Sequence, residues 1–220
     1  MAAPVLPSIY IVGCQCTGKT TLADAIFEHV EQHPVAPGCP PGMIKEVART
    51  VLKNHGFTRS DIRSSQHRAL ELQSRIIEAQ SEAERAQLAA RAWFISDRSA
   101  VDPVIYARRY ASREAADALM ASPAWVAMRA RMAASLVIVC EPGVDWLADD
   151  GVRLMPLDAA EWLQLHAEFC ALLADVGLEH YVLPSRMGNK DERVQFVLAS
   201  WEEKRGRLTI SRGEDGVVPN

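Results

Sequence analysis

Gly13-Cys14-Gln15-Cys16-Thr17-Gly18-Lys19-Thr20 carries the spacing GxxxxGK[ST], in which a short loop can wrap the phosphates of a nucleotide. Gly13 and Gly18 let the backbone turn so that amide N–H groups face phosphate oxygens, and a helix starting directly afterwards offers its positive end to the same anion. Lys19 is expected to reach the β- and γ-phosphates and Thr20 to ligate Mg²⁺, with Cys16, Thr17 and Thr21 completing the contacts to the triphosphate. The pattern means this only between a strand and a helix. Ser8–Val12 is a β-prone run ending at Gly13, and Thr20–Val30 has helical periodicity.

Two carboxylates and two arginines stand where chemistry would need them. Asp97 closes a short apolar run, Trp93–Ser96, and a carboxylate at the end of a buried strand is costly unless a cation compensates it. Mg²⁺ or one of its waters is the expected partner; a helix cap ahead of Ser99 is the alternative. Glu46 ends a second run, Met43–Val47. There it can accept a proton from an attacking hydroxyl, or it can pair with Arg49 three residues on. Arg153, in Asp149-Asp150-Gly151-Val152-Arg153, can close over a transferring phosphoryl group or be an ordinary surface charge, and Arg98 can serve the same group from a fixed position.

Four glutamines, Gln66, Gln73, Gln80 and Gln87, recur every seven residues and share one helix face with Leu70 and Ile77. A buried Gln needs partners for both ends of its amide, so Gln73 is read as a contact to a substrate base. Asn189-Lys190-Asp191-Glu192 does not match the guanine-reading NKxD, because the aspartate comes one position early. The donor is therefore expected to be ATP, with GTP left open.

Those residues need a frame of alternating strands and helices. His33–Gly42 holds four prolines and two glycines and reads as a loop. One long helix is expected from Ser60 to Arg91, free of Gly and Pro, and a proline-interrupted helical region from Asp102 to Arg131. Leu136–Cys140 is the clearest buried strand. A helix over Asp158–Val176, a strand over Tyr181–Leu183 and a helix over Asp191–Lys204 follow, and residues 206–220 read as a mobile tail. The expected fold class is α/β: an open parallel five-stranded sheet with helices on both faces, in one domain over residues 1–205, with ligands at the carboxyl ends of the strands.

Composition narrows the partners. With 49% hydrophobic and 24% charged residues the chain has the means to bury a core. The 24 Lys+Arg against 28 Asp+Glu leave a net charge of -4, which offers nucleic acid no broad basic surface. No run reaches the roughly 18 apolar residues of a membrane span, and Met1–Gly13 lacks the pattern of a signal peptide, so a cytoplasmic location is expected. The five cysteines form no CxxC pair, and Cys14 and Cys16 alone do not supply a tetrahedral metal site.

Taken in order, GCQCTGKTTL, the Glu-x-Ala-Arg of Glu46–Arg49, Asp97-Arg98-Ser99 with Asp102 and Tyr106, and DDGVR resemble the AAA_28 group of P-loop domains over about residues 8–205. That group is related to the kinase domain of NadR-type nicotinamide riboside kinases. Asp97-Arg98-Ser99 is also similar to the Glu-Arg-Ser of deoxynucleoside kinases. The resemblance implies a P-loop NTPase fold and an ATP- and Mg²⁺-dependent kinase. In that reading Asp97 organises the metal, Arg98 supports phosphoryl transfer, Glu46 is the base, and Arg49, Gln73 and Asp102 meet the acceptor. Arg153 stands nearly alone where nucleoside monophosphate kinases carry several arginines, so the implied acceptor is a small nucleoside-type metabolite. Some members are described as nucleotide-dependent switches or lipid-binding proteins, and a switch that hydrolyses slowly and recognises a lipid or protein is the alternative. A classical AAA+ motor is not expected, since these residues leave no room for its extra helical domain.

Overall fold

A computed structural model describes residues 6–143 and 158–214. Five short strands, β1 (Ile9–Val12), β2 (Gly42–Ile44), β3 (Phe94–Asp97), β4 (Leu136–Cys140) and β5 (Tyr181–Leu183), pair in parallel in the order β2-β3-β1-β4-β5. β1, β3 and β4 are buried along their whole length, as expected where crossover helices cover both faces of a parallel sheet. The pleat sorts their side chains. Ile9 and Ile11 of β1 face a core built with α1 (Lys19–Gln32) and α9 (Lys190–Glu214), including Leu22, Ile26 and Trp201. Tyr10 and Val12 face the opposite core, which holds Ile77, Val104, Met128 and Phe169. These come from α4 (Gln66–Ala90), α5 (Val101–Tyr110), α7 (Pro123–Ala133) and α8 (Ala159–Asp175). A third apolar cluster joins α2 (Val47–His55), α3 (Arg59–Ser64) and α4 through Val51, Ile62, Leu72 and Ile76.

The helical stretches are more divided than their periodicity suggests. The helix expected from Ser60 to Arg91 is two, because Ser65 is extended and its side chain caps α4 through the Arg68 N–H. The region from Asp102 to Arg131 is three: Ser112 caps α6 (Arg113–Met120), and Ser122 caps α7, whose first residue is Pro123. Serine suits a helix interior or a cap, and only the path of the chain decides which. α9 runs to Glu214 instead of ending near Lys204. Lys204 and Arg207 both donate to Glu179, and Arg207 also reaches the Tyr181 hydroxyl; these partners beside β5 hold a segment with no apolar period. Among the described residues, no helix is long and apolar enough to cross a membrane.

β1 lies between β3 and β4, so the loop leaving β1 opens between their carboxyl ends, at the point where the strand order reverses. Gly13, at φ 125°, starts that loop against β4, and a Cβ there would stand 2.9 Å from the Cys140 carbonyl oxygen. Neither the backbone conformation nor a central strand can yield cheaply. Gly13→Ala is therefore expected to destabilise the fold by about 2 kcal/mol, a fall in Tm of roughly 4–8 °C for a chain of this size. A thermal melt within 1 °C of wild type would contradict the crowding.

Candidate functional site

The loop between β1 and α1 is held from several sides. Gly18 takes the left-handed conformation at the N-cap of α1, and Cys16 does so without being glycine, a strained conformation of the sort found at ligand clamps. Thr17 Oγ1 donates to the Cys14 carbonyl at 3.0 Å, and Lys19 Nζ donates to the same oxygen. Trp162 of α8 donates its indole N–H to the Gln15 carbonyl at 3.0 Å, and Arg193 of α9 donates to the Thr17 carbonyl at 3.0 Å. Neither Trp162 nor Arg193 belongs to a motif, and nothing in the sequence singles them out. Cys14 is buried with its thiol donating to the Trp162 carbonyl, and burial pushes that thiol up to about 12, so it stays protonated. Lys19 is buried too. Burial first, and then the like charge of Arg98, lower its pKa, against the pull of Asp102 and Asp97.

Asp97 meets the loop directly: Thr20 Oγ1 donates to Asp97 Oδ2 at 2.6 Å. This follows from the register, since Ile11 of β1 pairs with Asp97 of β3. Asp97 is 1% exposed, and its Oδ1 has no hydrogen-bond partner among the described residues. A buried carboxylate oxygen without a donor is costly. A hydroxyl and a carboxylate at hydrogen-bond distance, with one oxygen left unpaired, fit the all-oxygen shell that Mg²⁺ requires. The Ser99 N–H and hydroxyl are instead bound by Asp102, at 3.0 and 3.3 Å.

Glu46 does not end a strand. β2 stops at Ile44, and Glu46 is the N-cap residue of α2. Its carboxylate joins two arginines, accepting from Arg98 Nε at 2.7 Å and from Arg49 Nε at 2.6 Å. Arg98 in turn donates to Asp102 Oδ1 at 3.0 Å. Burial alone would raise the Glu46 pKa, but the Arg98 charge and the Arg49 bond and charge outweigh it and hold the carboxyl at about 2. Asp102, more deeply placed, moves the other way: burial raises it against the Arg98 and Lys19 charges. Arg98 has φ 88°, in the left-handed region where an arginine is strained.

Beside these groups lies a cleft of about 790 Å³, counted to its open mouth. Glu46, Arg98, Asp102 and Gln15 line one part; Leu52, Ile62, Leu72 and Ile76 line the other. A mostly apolar pocket with a few convergent polar groups is the usual form of a small-molecule site. Gln73 is buried on its wall and has no hydrogen-bond partner among the described residues. The other glutamines diverge: Gln66 is exposed, Gln80 donates to Glu84 and Ser96, and Gln87 donates to the Met43 carbonyl. A second hollow, lined by Gly18, Thr21, Leu22, Gly188, Lys190 and Arg193, lies between the start of α1 and the loop after β5. Asn189 there caps α9 by accepting from the Asp191 N–H at 2.7 Å. Arg153 and the rest of its Asp-Asp-Gly-Val-Arg segment lie outside the described residues.

The geometry agrees with known folds. A NadR protein in complex with NR superposes with a TM-score of 0.63 at 22% identity, covering 84% of this chain and 47% of that one. A NadR protein in complex with NAD and AMP-PNP gives 0.62 at 20% identity, covering 90% and 49%; the chain spans about half the length of these two structures. Deoxyadenosine kinase from M. mycoides, with products dCMP and a flexible dCDP bound, gives 0.58 at 12% identity, covering 89% and 98%. At these identities the likeness establishes the fold alone, an open parallel α/β sheet with a P-loop after its first strand. No curated protein matches the sequence. The AAA_28 profile, described as an AAA domain, matches residues 8–193, from the strand that enters the phosphate loop to the arginine that clamps it, and the chain belongs to that family.

Proposed function

We propose that the chain is an ATP-dependent kinase that transfers the γ-phosphoryl group to a hydroxyl of a small nucleoside-type metabolite. The observation that supports this is the cleft, because the residues on its polar side are connected to the phosphate loop through Arg98 and Asp97. Glu46 and Asp102 line it, both are tied to Arg98, and Arg98 follows the Asp97 that bonds Thr20. The loop and Lys19 hold the triphosphate, with the base in the hollow at Thr21, Leu22 and Gly188. Thr20 and Asp97 would hold Mg²⁺, which when bound neutralises charge on the β- and γ-phosphates. The acceptor lies in the cleft with its ring on the apolar part and Gln73 beside it, while Arg49 and Asp102 border its polar end. As the acceptor oxygen bonds to phosphorus, the bond to the β,γ-bridging oxygen breaks, its electron pair leaves with ADP, and the hydroxyl proton passes to Glu46. Arg98 stabilises the charge spread over the transferring group.

A carboxylate held near 2 is a weak base, which suits a loose transition state in which the hydroxyl loses its proton late. Glu46→Gln is expected to slow acceptor-dependent transfer roughly 10²-fold, the lower end of the range for general bases, with little change in ATP affinity. The depressed pKa also sets a pH dependence. Glu46 stays ionised as pH falls through the ordinary carboxylate range, and the stability its ion pairs contribute is lost only between the unfolded value of 4.5 and about 2. Single-turnover rates against pH check both statements: a limb near pH 4–5 present in wild type and absent from Glu46→Gln would contradict the second, and a wild-type rate in the variant removes Glu46 from the mechanism. The function itself is tested by a panel of nucleosides and related hydroxyl metabolites with ATP and Mg²⁺, read as ADP release. At least one acceptor is expected to raise ADP release well above the background; if none does, a slow nucleotide switch is the better reading.

A further inference from the structure

Ser96 is an anomaly in its strand. β3 is buried on both faces, where a parallel sheet ordinarily carries Val, Ile or Leu, yet Ser96 is fully buried. Its hydroxyl is fully engaged: it donates to the Arg98 carbonyl at 2.8 Å and accepts from Gln80 Nε2 at 3.1 Å. Gln80 is anchored in turn, donating to Glu84 Oε1 at 3.1 Å. Glu84 is wholly buried, and its other oxygen accepts from the Tyr10 hydroxyl at 3.0 Å and from Arg131 Nε at 2.8 Å. A polar chain thus crosses the core from α7 through α4 to β3 and ends on the backbone of Arg98.

Arg98 is a residue that needs holding. Its φ of 88° is unfavourable for a side chain with a Cβ and persists only where the surroundings over-determine it. Its N–H is fixed by the Ile11 carbonyl at 2.9 Å, and its guanidinium by Glu46 and Asp102. The carbonyl is the remaining handle, and Ser96 is what grips it. We propose that Ser96, oriented by Gln80 and Glu84, is a positioning residue that locks Arg98 in its left-handed conformation and so aims the guanidinium at Glu46 and at the transferring group. The catalytic part of this statement rests on the kinase reading above; the conformational part does not.

The test compares Ser96→Thr with Ser96→Val, which share a β-branched shape and differ in a hydroxyl against a methyl. The first readout needs no acceptor: the Arg98 Nε–H bonded to Glu46 is expected to give a protected side-chain resonance in ¹H–¹⁵N spectra, assigned by its loss in Arg98→Lys. Ser96→Thr is expected to retain it, and Ser96→Val to lose it through exchange with water. The second readout is transfer. Ser96→Val is expected to lower kcat roughly 10²-fold, the scale of an ångström-sized misplacement, with KM for ATP nearly unchanged, and Ser96→Thr to restore kcat. The proposal is overturned if wild type shows no protected Arg98 resonance, if Ser96→Val keeps both resonance and kcat, or if Thr and Val lose them equally. Should both β-branched variants fail to fold, Ser96→Ala decides: a resonance as protected as in wild type overturns the proposal, and its loss supports it. A wild type with the protected resonance and no acceptor-dependent activity sinks the kinase reading and leaves the positioning of Arg98 standing.

Discussion

Lys19→Ala is expected to abolish turnover, a loss of at least roughly 10³-fold, because in the proposed kinase reading it removes the cation that would sit on the β- and γ-phosphates. The second half of the result concerns stability, where the sign is less obvious. In the free protein the ammonium is buried, rests on the Cys14 carbonyl and feels the charge of Arg98, and its pKa is lowered accordingly. A lowered lysine pKa means that the charged form is held at a cost to the fold, which diminishes as pH rises through the folded value. Lys19→Met, which keeps most of the side-chain volume, is therefore expected to melt no lower than wild type without nucleotide. With ATP and Mg²⁺ the order reverses. Wild type at a ligand concentration of about 100 Kd gains roughly 2.7 kcal/mol, or roughly 5–10 °C for a domain of this size, and either variant should gain almost none. Thermal melts with and without nucleotide, alongside ADP release, check both halves; near-normal ATP affinity and turnover in Lys19→Ala would sink the phosphate-loop reading.

Asp97→Asn is expected to have the next largest effect. The change keeps shape and volume but removes the charge beside Thr20, and an amide nitrogen in either position presents donors where Mg²⁺ needs acceptors. The Mg²⁺ concentration giving half-maximal activity should rise at least roughly tenfold, and turnover at saturating metal should fall roughly 10²-fold or more. ATP binding without metal should change little or strengthen, since a negative charge near the phosphates is gone. The measurement is a Mg²⁺ titration of activity together with nucleotide affinity in EDTA. An unchanged titration would leave Asp97 as a structural partner of Thr20 only.

The two effects differ in how far the sequence could anticipate them. Lys19 stands in one contiguous run of eight residues, and its role depends on local backbone geometry: two glycines, a strand before and a helix after. Asp97 could be suspected from its place after an apolar run, but that its carboxylate meets Thr20, while Asp102 takes the Ser99 N–H, is visible only in the structure. Glu46 shows the same limit from the other side. Its pairing with Arg49 is local and legible; its bond to Arg98, 52 residues away, is not.

By itself the sequence determined the strand–loop–helix unit, the parallel α/β class and the family, because each rests on patterns a few residues long whose physics is local: pleat, helical period, turn chemistry and the spacing of an anion-binding loop. The tertiary structure alone decided which elements become neighbours. Several apolar runs are equally suited to flank β1, and nothing in their periodicity says that β3 takes that place and brings Asp97 onto Thr20. The same holds for Arg193, which clamps a loop 176 residues away, for the serines that divide the long helices, and for Ser96, whose buried hydroxyl looks like a flaw in a strand until the Arg98 carbonyl is beside it. Long-range partners are selected by the packing of whole layers, and that selection leaves no period in the chain to read.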